Sequence, residues 1–267
     1  MNMKRIATSL IGFPIVACAL IFGNKYVIDV IFAVVCAISL YEYNKALKLK
    51  AKPVLWIGYF ACFLMAFIHI IPTQYLGNII GILMATTVLV LFLHVIATNM
   101  KINIVDIALT FFGICYIVIF LMFIPILTGR ENGKLLVWYI IFAAWGTDVF
   151  AYCVGRRIGK HKFSEVSPKK SIEGCIGGTL GSLVFIIGYT VFLNNHFGMN
   201  INYLLISVIG IILSLIGQVG DFSASSIKRY VGIKDYSNIF PGHGGMLDRI
   251  DSVIFIAPFA YFLLMLI

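Results

Sequence analysis

Three aspartates and several basic residues are concentrated toward the C-terminal end of the chain. Asp221 follows a long apolar run, and Asp248 and Asp251 precede another. Carboxylates without soft ligands suit a hard cation such as Mg²⁺, which is commonly bound together with phosphate. Basic side chains close by could hold phosphate oxygens: Lys228, Arg229, Lys234 and Arg249. The pattern indicates metal-assisted phosphate chemistry. The alternative to a metal site is that these acids lie at helix N-termini, where the helix dipole stabilises a carboxylate. That explanation accounts for one acid more readily than for three.

Further polar residues lie in and after the apolar stretch that ends near residue 155. Asp148 stands eight residues before Arg156, where a carboxylate is costly unless it is paired, hydrated or metal-bound. The alternative to a functional role is that Asp148 forms a structural ion pair with a nearby Lys or Arg. The basic loop 156–173 contains Lys169 and Lys170 and is either a topogenic loop or a second phosphate-binding segment. A turn around His243, between glycines, could bring backbone N–H groups to an anion.

The elements that must position these residues are transmembrane helices. The 267 residues are 61% hydrophobic and 12% charged, which excludes a soluble globular protein. The net charge of +9 is expected from cytoplasmic loops, so it does not indicate nucleic acid. We expect an all-α polytopic membrane protein. Its apolar stretches, most of them uncharged, predict about nine spans, near 6–23, 26–43 (despite Asp29), 53–71, 76–98, 105–127, 135–155, 174–193, 202–220 and 247–267.

The distribution of Lys and Arg predicts the orientation of these spans. With nine spans, 17 of the 20 Lys and Arg fall on the side of the N-terminus and three on the other. The N-terminus and the basic loops are then cytoplasmic and the C-terminus is outside, as in a multi-pass protein of the cell membrane whose site faces the cytoplasm. We expect one integral membrane domain over 1–267, mainly anchor over 1–134 and catalytic over 135–267.

The C-terminal pattern resembles the signature of the phosphatidate cytidylyltransferases, the CDP-diacylglycerol synthases. It reads Ser225-Ser-Ile-Lys228-Arg229, then Lys234-Asp235, then Pro241-Gly-His243-Gly-Gly245, and closes on Asp248-Arg249-Ile-Asp251. Two further stretches are similar to the family, around Asp148 and from Ser167 to Gly174. The resemblance covers the whole chain, but only the part from about Asp148 onward is specific.

The resemblance implies an enzyme that transfers CMP from CTP to phosphatidic acid and releases pyrophosphate. It implies Mg²⁺ as the cofactor, leaves the identity of a second cation open, and implies a homodimer in membrane lipid. Metal ligands would be Asp221, Asp248 and Asp251, and the catalytic set adds Lys228 and Arg229. Substrate-binding residues would be Asp148, Ser167, Lys169, Lys170, Ser225, Lys234, His243 and Arg249.

Two other classes of function remain open from the residues alone. A cation- or proton-coupled transporter would also carry acids inside the membrane, but here the acids crowd one edge and no second half mirrors the first. A different lipid-phosphate enzyme is the other class. The CDP-alcohol phosphatidyltransferase motif is absent, whereas a CTP-dependent lipid kinase would need the same Mg²⁺ and CTP.

Overall fold

The computed structural model describes residues 17–164, 167, 170–240 and 244–267. Those residues form helices joined by short turns, and their only β-type pairings are the isolated bridges Lys162–Ser171 and Phe240–Gly244. The helices are α1 (Lys25–Leu47), α2 (Leu55–Met65), α3 (Leu76–Ala97), α4 (Ile104–Thr128, with a π-helical stretch Ile114–Ile119), α5 (Gly133–Ile158), α6 (Ile172–Phe197), α7 (Tyr203–Val231) and α8 (Leu247–Leu263). Residues 17–22 are also helical.

Seven of the helices in the described part of the chain are long and apolar enough to cross a membrane. This confirms the all-α polytopic class. The exception is α2, which has only 11 residues and is followed by a 3₁₀ turn, Ile68–Ile70. The sequence predicts a single span over 53–71 in this region. Most of the predicted span 6–23 lies outside the described residues. The count of nine and the positions of the termini stay predictions.

The chain divides into two compact units. Of the described residues, those up to 129 and those within 230–249 form the first unit, and those within 130–229 and 250–267 form the second. In the first unit, α1 buries one apolar stripe at helical spacing against the neighbouring helices. The stripe consists of Ile28, Phe32, Cys36, Leu40, Tyr43 and Leu47. The expectation of a single membrane domain stays a prediction.

In the second unit, glycines let α5 and α6 pack closely along their lengths. A Cβ on Gly174 would lie 2.9 Å from the carbonyl oxygen of Ala151, and one on Gly178 would lie 2.8 Å from that of Thr147. Further along the pair, the Tyr139 hydroxyl lies 2.8 Å from the Thr190 hydroxyl. Gly174 and Gly178 therefore serve helix packing, as small residues do between membrane helices.

Helix α7 is longer than the sequence predicts. The predicted span ends at residue 220, whereas the helix continues to Val231. The prediction of an end at Asp221 was wrong because the polar extension still buries a stripe at helical spacing, formed by Ala224, Lys228 and Val231. Gly232 follows with φ +80°, the left-handed conformation that commonly terminates a helix. Asp221 therefore lies inside a helix.

Candidate active site

The second unit collects acidic and basic side chains around Asp251. We call Asp148, Lys170, Asp221, Lys228 and Asp251 the acid–base cluster. The ammonium of Lys170 forms an ion pair with Oδ2 of Asp221. Asp251 is buried and interacts electrostatically with Asp221, Asp148 and Lys228. The structure thus brings together five of the residues that the sequence singles out, although they are spread over more than a hundred positions.

Two glycines of α7 explain how Asp221 comes close to Asp251. A Cβ on Gly220 would lie only 2.7 Å from the carbonyl oxygen of Asp251, and one on Gly217 would lie 2.8 Å from Cδ1 of Ile256. Atoms in ordinary contact are about 3.5–4.0 Å apart, so larger residues here would push the helices apart. The close approach of α7 and α8 at these glycines brings the two carboxylates into one cluster.

Lys170 is held at the end of the basic loop by aromatic and backbone contacts. Its ammonium lies 4.3 Å from the centroid of the Phe222 ring, and this ring stacks on Phe163 at 4.5 Å. The backbone N–H of Phe163 donates to the carbonyl of Lys170 across the loop, at 3.0 Å. A cation over an aromatic face is stabilised by the ring quadrupole. Lys170 is therefore positioned from both ends of its side chain.

Glu173 ties the start of the same loop to the first turn of α6. Its carboxylate lies 2.6 Å from Nδ1 of His161 and accepts the backbone N–H groups of Lys160 and His161 at 3.2–3.3 Å. Ser171 caps α6 by accepting the N–H of Gly174 at 3.1 Å. These contacts consequently hold the described residues at both ends of the basic loop in place.

A groove of about 640 Å³ lies beside Lys170 on the second unit. Phe163 and Phe222 line the groove near the lysine. Its walls are mainly apolar side chains of α6 and α7: Ile172, Ile176, Leu180, Leu215 and Val219. The α6 residues span about 12 Å along the helix axis at 1.5 Å per residue. One end of the groove, at Phe222, therefore adjoins Lys170, and the rest of its length is mainly apolar.

Polar side chains link α5, α6 and α7 below the acid–base cluster. The hydroxyl of Thr147 lies 2.6 Å from that of Ser214, which donates to the hydroxyl of Thr179 at 3.2 Å. The amide of Gln218 donates to the same Thr179 hydroxyl at 2.9 Å. Thr147 is adjacent to Asp148 in the chain, so the network fixes the helix turn that carries this aspartate.

In the first unit, Asp248 has a structural contact at the start of α8. Its Oδ2 accepts the backbone N–H of Gly245 and that of Tyr236, both at 2.9 Å. Carboxylates near a helix N-terminus are favoured by the unpaired N–H groups there. These contacts support the alternative in which Asp248 stabilises the N-terminus of α8. The assignment of Asp248 as a metal ligand stays a prediction.

Sequence reasoning missed Glu42 in α1. This carboxylate is completely buried, and it accepts the backbone N–H groups of Met246 and Leu247 at 3.0 and 2.8 Å. It also accepts the hydroxyl of Ser237. The available signal was an acidic residue inside the predicted span 26–43. Nothing local in the sequence indicates its partners, which lie about 200 residues away.

The other predicted site residues are placed as follows. Ser225 and Ser167 are half-buried, whereas Arg229, Lys234 and Arg249 are exposed. The predictions for Lys169 and His243 fall outside the described residues. The roles assigned to all these residues stay predictions.

Asp221 and Asp251 supply the hard oxygen ligands that Mg²⁺ prefers. Within the described ranges, no group of three His, Cys, Asp or Glu side chains is arranged to hold a metal ion. Mg²⁺ is commonly held by one or two carboxylates together with water and substrate phosphates. The donor set fits an ion that arrives with phosphate, rather than one enclosed by protein ligands alone.

Comparison with known proteins places this chain among cytidylyltransferases. A family model described as the cytidylyltransferase family matches residues 3–267. The chain belongs to this family. A phosphatidate cytidylyltransferase of Bacillus subtilis (strain 168) is 32% identical over 277 residues, which cover 98% of this chain and 97% of that protein. Those of Staphylococcus haemolyticus (strain JCSC1435) and Staphylococcus saprophyticus are 39% and 38% identical over 165 residues, 61% of each chain. The predicted family is confirmed.

Proposed function

We propose that this protein transfers CMP from CTP to phosphatidic acid and releases pyrophosphate. The observation that carries the proposal is the acid–base cluster, which combines Lys170, Asp221 and Asp251 in a unit built from membrane-spanning helices. Together with a bound divalent cation, such a cluster could offset the charge of two phosphate groups. Membership of the cytidylyltransferase family and the names of the bacterial relatives support the same reaction.

The reaction needs charge neutralisation more than acid–base chemistry. An oxygen of the lipid phosphate forms a bond to the α-phosphorus of CTP, and the bond from that phosphorus to the bridging oxygen of the β-phosphate breaks. The bonding electrons leave with pyrophosphate. Because phosphatidic acid already carries an oxyanion, no proton has to be removed from the nucleophile. The main barrier is repulsion between the anions, which positioned cations lower.

The residues of the acid–base cluster have different roles in binding phosphate and compensating charge. Lys170 binds a phosphate oxygen when substrate replaces its ion pair with Asp221. Asp221 and Asp251 would hold Mg²⁺, with Asp148 as a nearby carboxylate, and the ion would supply positive charge to the triphosphate. Lys228 stays beside Asp251 and offsets part of the negative charge of the three aspartates.

The groove beside Lys170 accommodates one acyl chain of phosphatidic acid. Its lining residues Phe163 and Phe222 also contact each other, and Phe222 contacts the lysine ammonium. A lipid whose phosphate meets Lys170 would then extend along Leu180. The test is Leu180→Trp, which fills the groove, with Val191→Trp on the same helix as a control outside the groove. Discrimination against long acyl chains should rise only in Leu180→Trp. Equal chain preferences in both variants would contradict this placement.

We also propose that the chain crosses the membrane nine times, with the N-terminus and the active site cytoplasmic, and that it forms a homodimer. The uneven distribution of Lys and Arg supports the orientation, and the family resemblance alone supports the dimer. Labelling of single cysteines introduced at Lys25 and Lys160, on opposite predicted sides, tests the orientation. Labelling of both from the same side would contradict it. Cross-linking in native membranes tests the dimer, and only monomers after cross-linking would contradict it.

The experiment that tests the activity follows each phosphate of CTP. Purified protein in detergent micelles is given phosphatidic acid and CTP labelled on either the α- or the γ-phosphate, with and without Mg²⁺. We expect α-label in the lipid fraction only with Mg²⁺, and no γ-label there. A lipid kinase would transfer the γ-label instead. No labelled lipid from folded protein would refute the proposal.

A further inference from the structure

Glu42 is a carboxylate buried in a membrane-spanning helix of the first unit. It is completely excluded from solvent, and it lies near the end of α1, close to Tyr43 and Leu47 of the apolar stripe. A charged side chain in such a position is costly unless polar partners compensate it. Its retention therefore calls for a specific set of partners.

Those partners all belong to the segment that leads into α8. The backbone N–H groups of Met246 and Leu247 donate to its two oxygens at 3.0 and 2.8 Å, and the Ser237 hydroxyl donates to Oε1. Leu247 is the first residue of α8. Hydrogen bonds from backbone N–H groups to an ionised carboxylate are among the stronger ones in proteins. Glu42 thus caps a helix that begins 205 residues later.

A side chain at position 245 would force the Glu42 carboxylate to move from its place beside this segment. A Cβ on Gly245 would lie 2.4 Å from Oε1 of Glu42. Immediately after it, Asp248 uses Oδ2 to accept the N–H of Gly245 and that of Tyr236. The N–H groups of three successive residues, from Gly245 to Leu247, therefore all donate to carboxylates. One carboxylate comes from α1 and the other from α8 itself.

We propose that Glu42 is a positioning residue for the transfer reaction, because it fixes the first turn of α8. That turn carries Asp248 and Arg249, which the sequence signature marks as site residues, and one turn further lies Asp251. Glu42 acts through the backbone of α8 and does not contact substrate. The inference rests on the proposed function, since it concerns residues that serve that reaction.

The matched control is Asp106, which has the same chemistry elsewhere in the first unit. It is also a buried carboxylate, and it accepts two backbone N–H groups, those of Lys52 at 2.7 Å and Asn103 at 2.9 Å. Its partners are remote in sequence from α8. Asp106→Asn therefore reports the general effect of neutralising a buried carboxylate in this unit.

The experiment compares wild type, Glu42→Gln, Ser237→Ala and Asp106→Asn. The two quantities that test the proposal are amide hydrogen exchange over residues 244–249 and kcat/KM for CTP. The melting temperature is measured as well, as a check on the fold. Glu42→Gln should accelerate exchange at Met246 and Leu247 and lower kcat/KM about 10-fold or more, because small misplacements of reacting groups are expensive. Ser237→Ala should change both quantities in the same direction by less, since the backbone bonds of Glu42 remain.

Asp106→Asn should lower the melting temperature but leave exchange over 244–249 and kcat/KM within about twofold of wild type. Equal losses of kcat/KM in Glu42→Gln and Asp106→Asn would overturn the proposal, because the effect would then be general. Unchanged exchange in a folded Glu42→Gln would also overturn it. If Glu42→Gln does not fold, Ser237→Ala decides, and unchanged exchange and activity there overturn the proposal. A wild-type protein without transfer activity would instead refute the proposed function.

Discussion

The contact between Gly220 and α8 provides a sharp test of how the acid–base cluster is built. Replacing Gly220 with alanine puts a Cβ 2.7 Å from the carbonyl oxygen of Asp251 and 3.0 Å from Cβ of Phe255. Both distances are too short, and a backbone carbonyl cannot rotate away like a flexible side chain. We therefore expect Gly220→Ala to separate α7 from α8 by about 0.5–1 Å, which restores ordinary contact distances.

The expected effect on stability is modest, and the expected effect on activity is large. Overpacking costs about 1–3 kcal/mol, and the higher helix propensity of alanine returns about 1 kcal/mol. The net loss of stability is then about 0–2 kcal/mol. Because Asp221 is the next residue of α7, the same separation displaces it from Asp251. A misplacement of about 1 Å can cost about 100-fold in rate.

Gly188→Ala in α6 is the control for this prediction. Apart from its chain neighbours and the backbone of its own helix, no described atom lies within 4 Å of the Cβ that it would introduce, and Gly188 lies in the same unit. It should keep wild-type activity and gain about 0.5–1 kcal/mol from helix propensity. The assay is the initial rate of CMP transfer into lipid, together with the melting temperature in the same detergent. If Gly220→Ala is as active as Gly188→Ala, the account of the cluster geometry is refuted.

Three further substitutions probe the surroundings of the cluster. Lys170→Met removes the cation beside Asp221 and should lower kcat/KM for phosphatidic acid about 10-fold or more at saturating CTP; wild-type kcat/KM would contradict its role. Glu173→Gln weakens the contacts to the loop and should accelerate amide exchange at Lys160 and His161 without changing the melting temperature, whereas unchanged exchange would show that the carboxylate does not order the loop. Gly181→Leu would place a Cβ 2.0 Å from the Phe150 ring, so we expect a loss of about 1–3 kcal/mol in thermal unfolding, and an unchanged melting temperature would show that the helices do not pack as described.

The positions of most helices could be predicted from the sequence because uncharged runs of about 20 residues report the membrane directly. The spans 76–98 and 105–127 match α3 and α4 within one residue at each end. Helix α7 was predicted too short because the hydropathy falls at Asp221. The helix nevertheless continues to Val231, with Ala224, Lys228 and Val231 buried on one face. Hydropathy detects an apolar span, and it does not detect the continuation of the same helix into a polar segment.

The chemistry-bearing residues were found from the sequence, but their partners were not. The pattern identified Asp221, Asp251 and Lys170, because acids and bases are rare in so apolar a chain. The ion pair between Lys170 and Asp221 joins residues 51 positions apart, and no local pattern encodes it. The same holds for His69, whose Nδ1 lies 2.6 Å from Oδ1 of Asp29, 40 positions away. Pairings of this kind are set by tertiary packing.

The central claim is that CMP transfer takes place at the acid–base cluster, and Asp221→Asn tests it most directly. This substitution keeps the size of the side chain, removes its charge and replaces one acceptor oxygen with an NH2 donor. The measurement is the initial rate at which the α-phosphate of labelled CTP enters the lipid fraction, with protein of confirmed fold and saturating Mg²⁺. The account predicts a loss of about 100-fold or more, as expected when a group that stabilises transition-state charge is removed. A rate equal to that of wild type would contradict it.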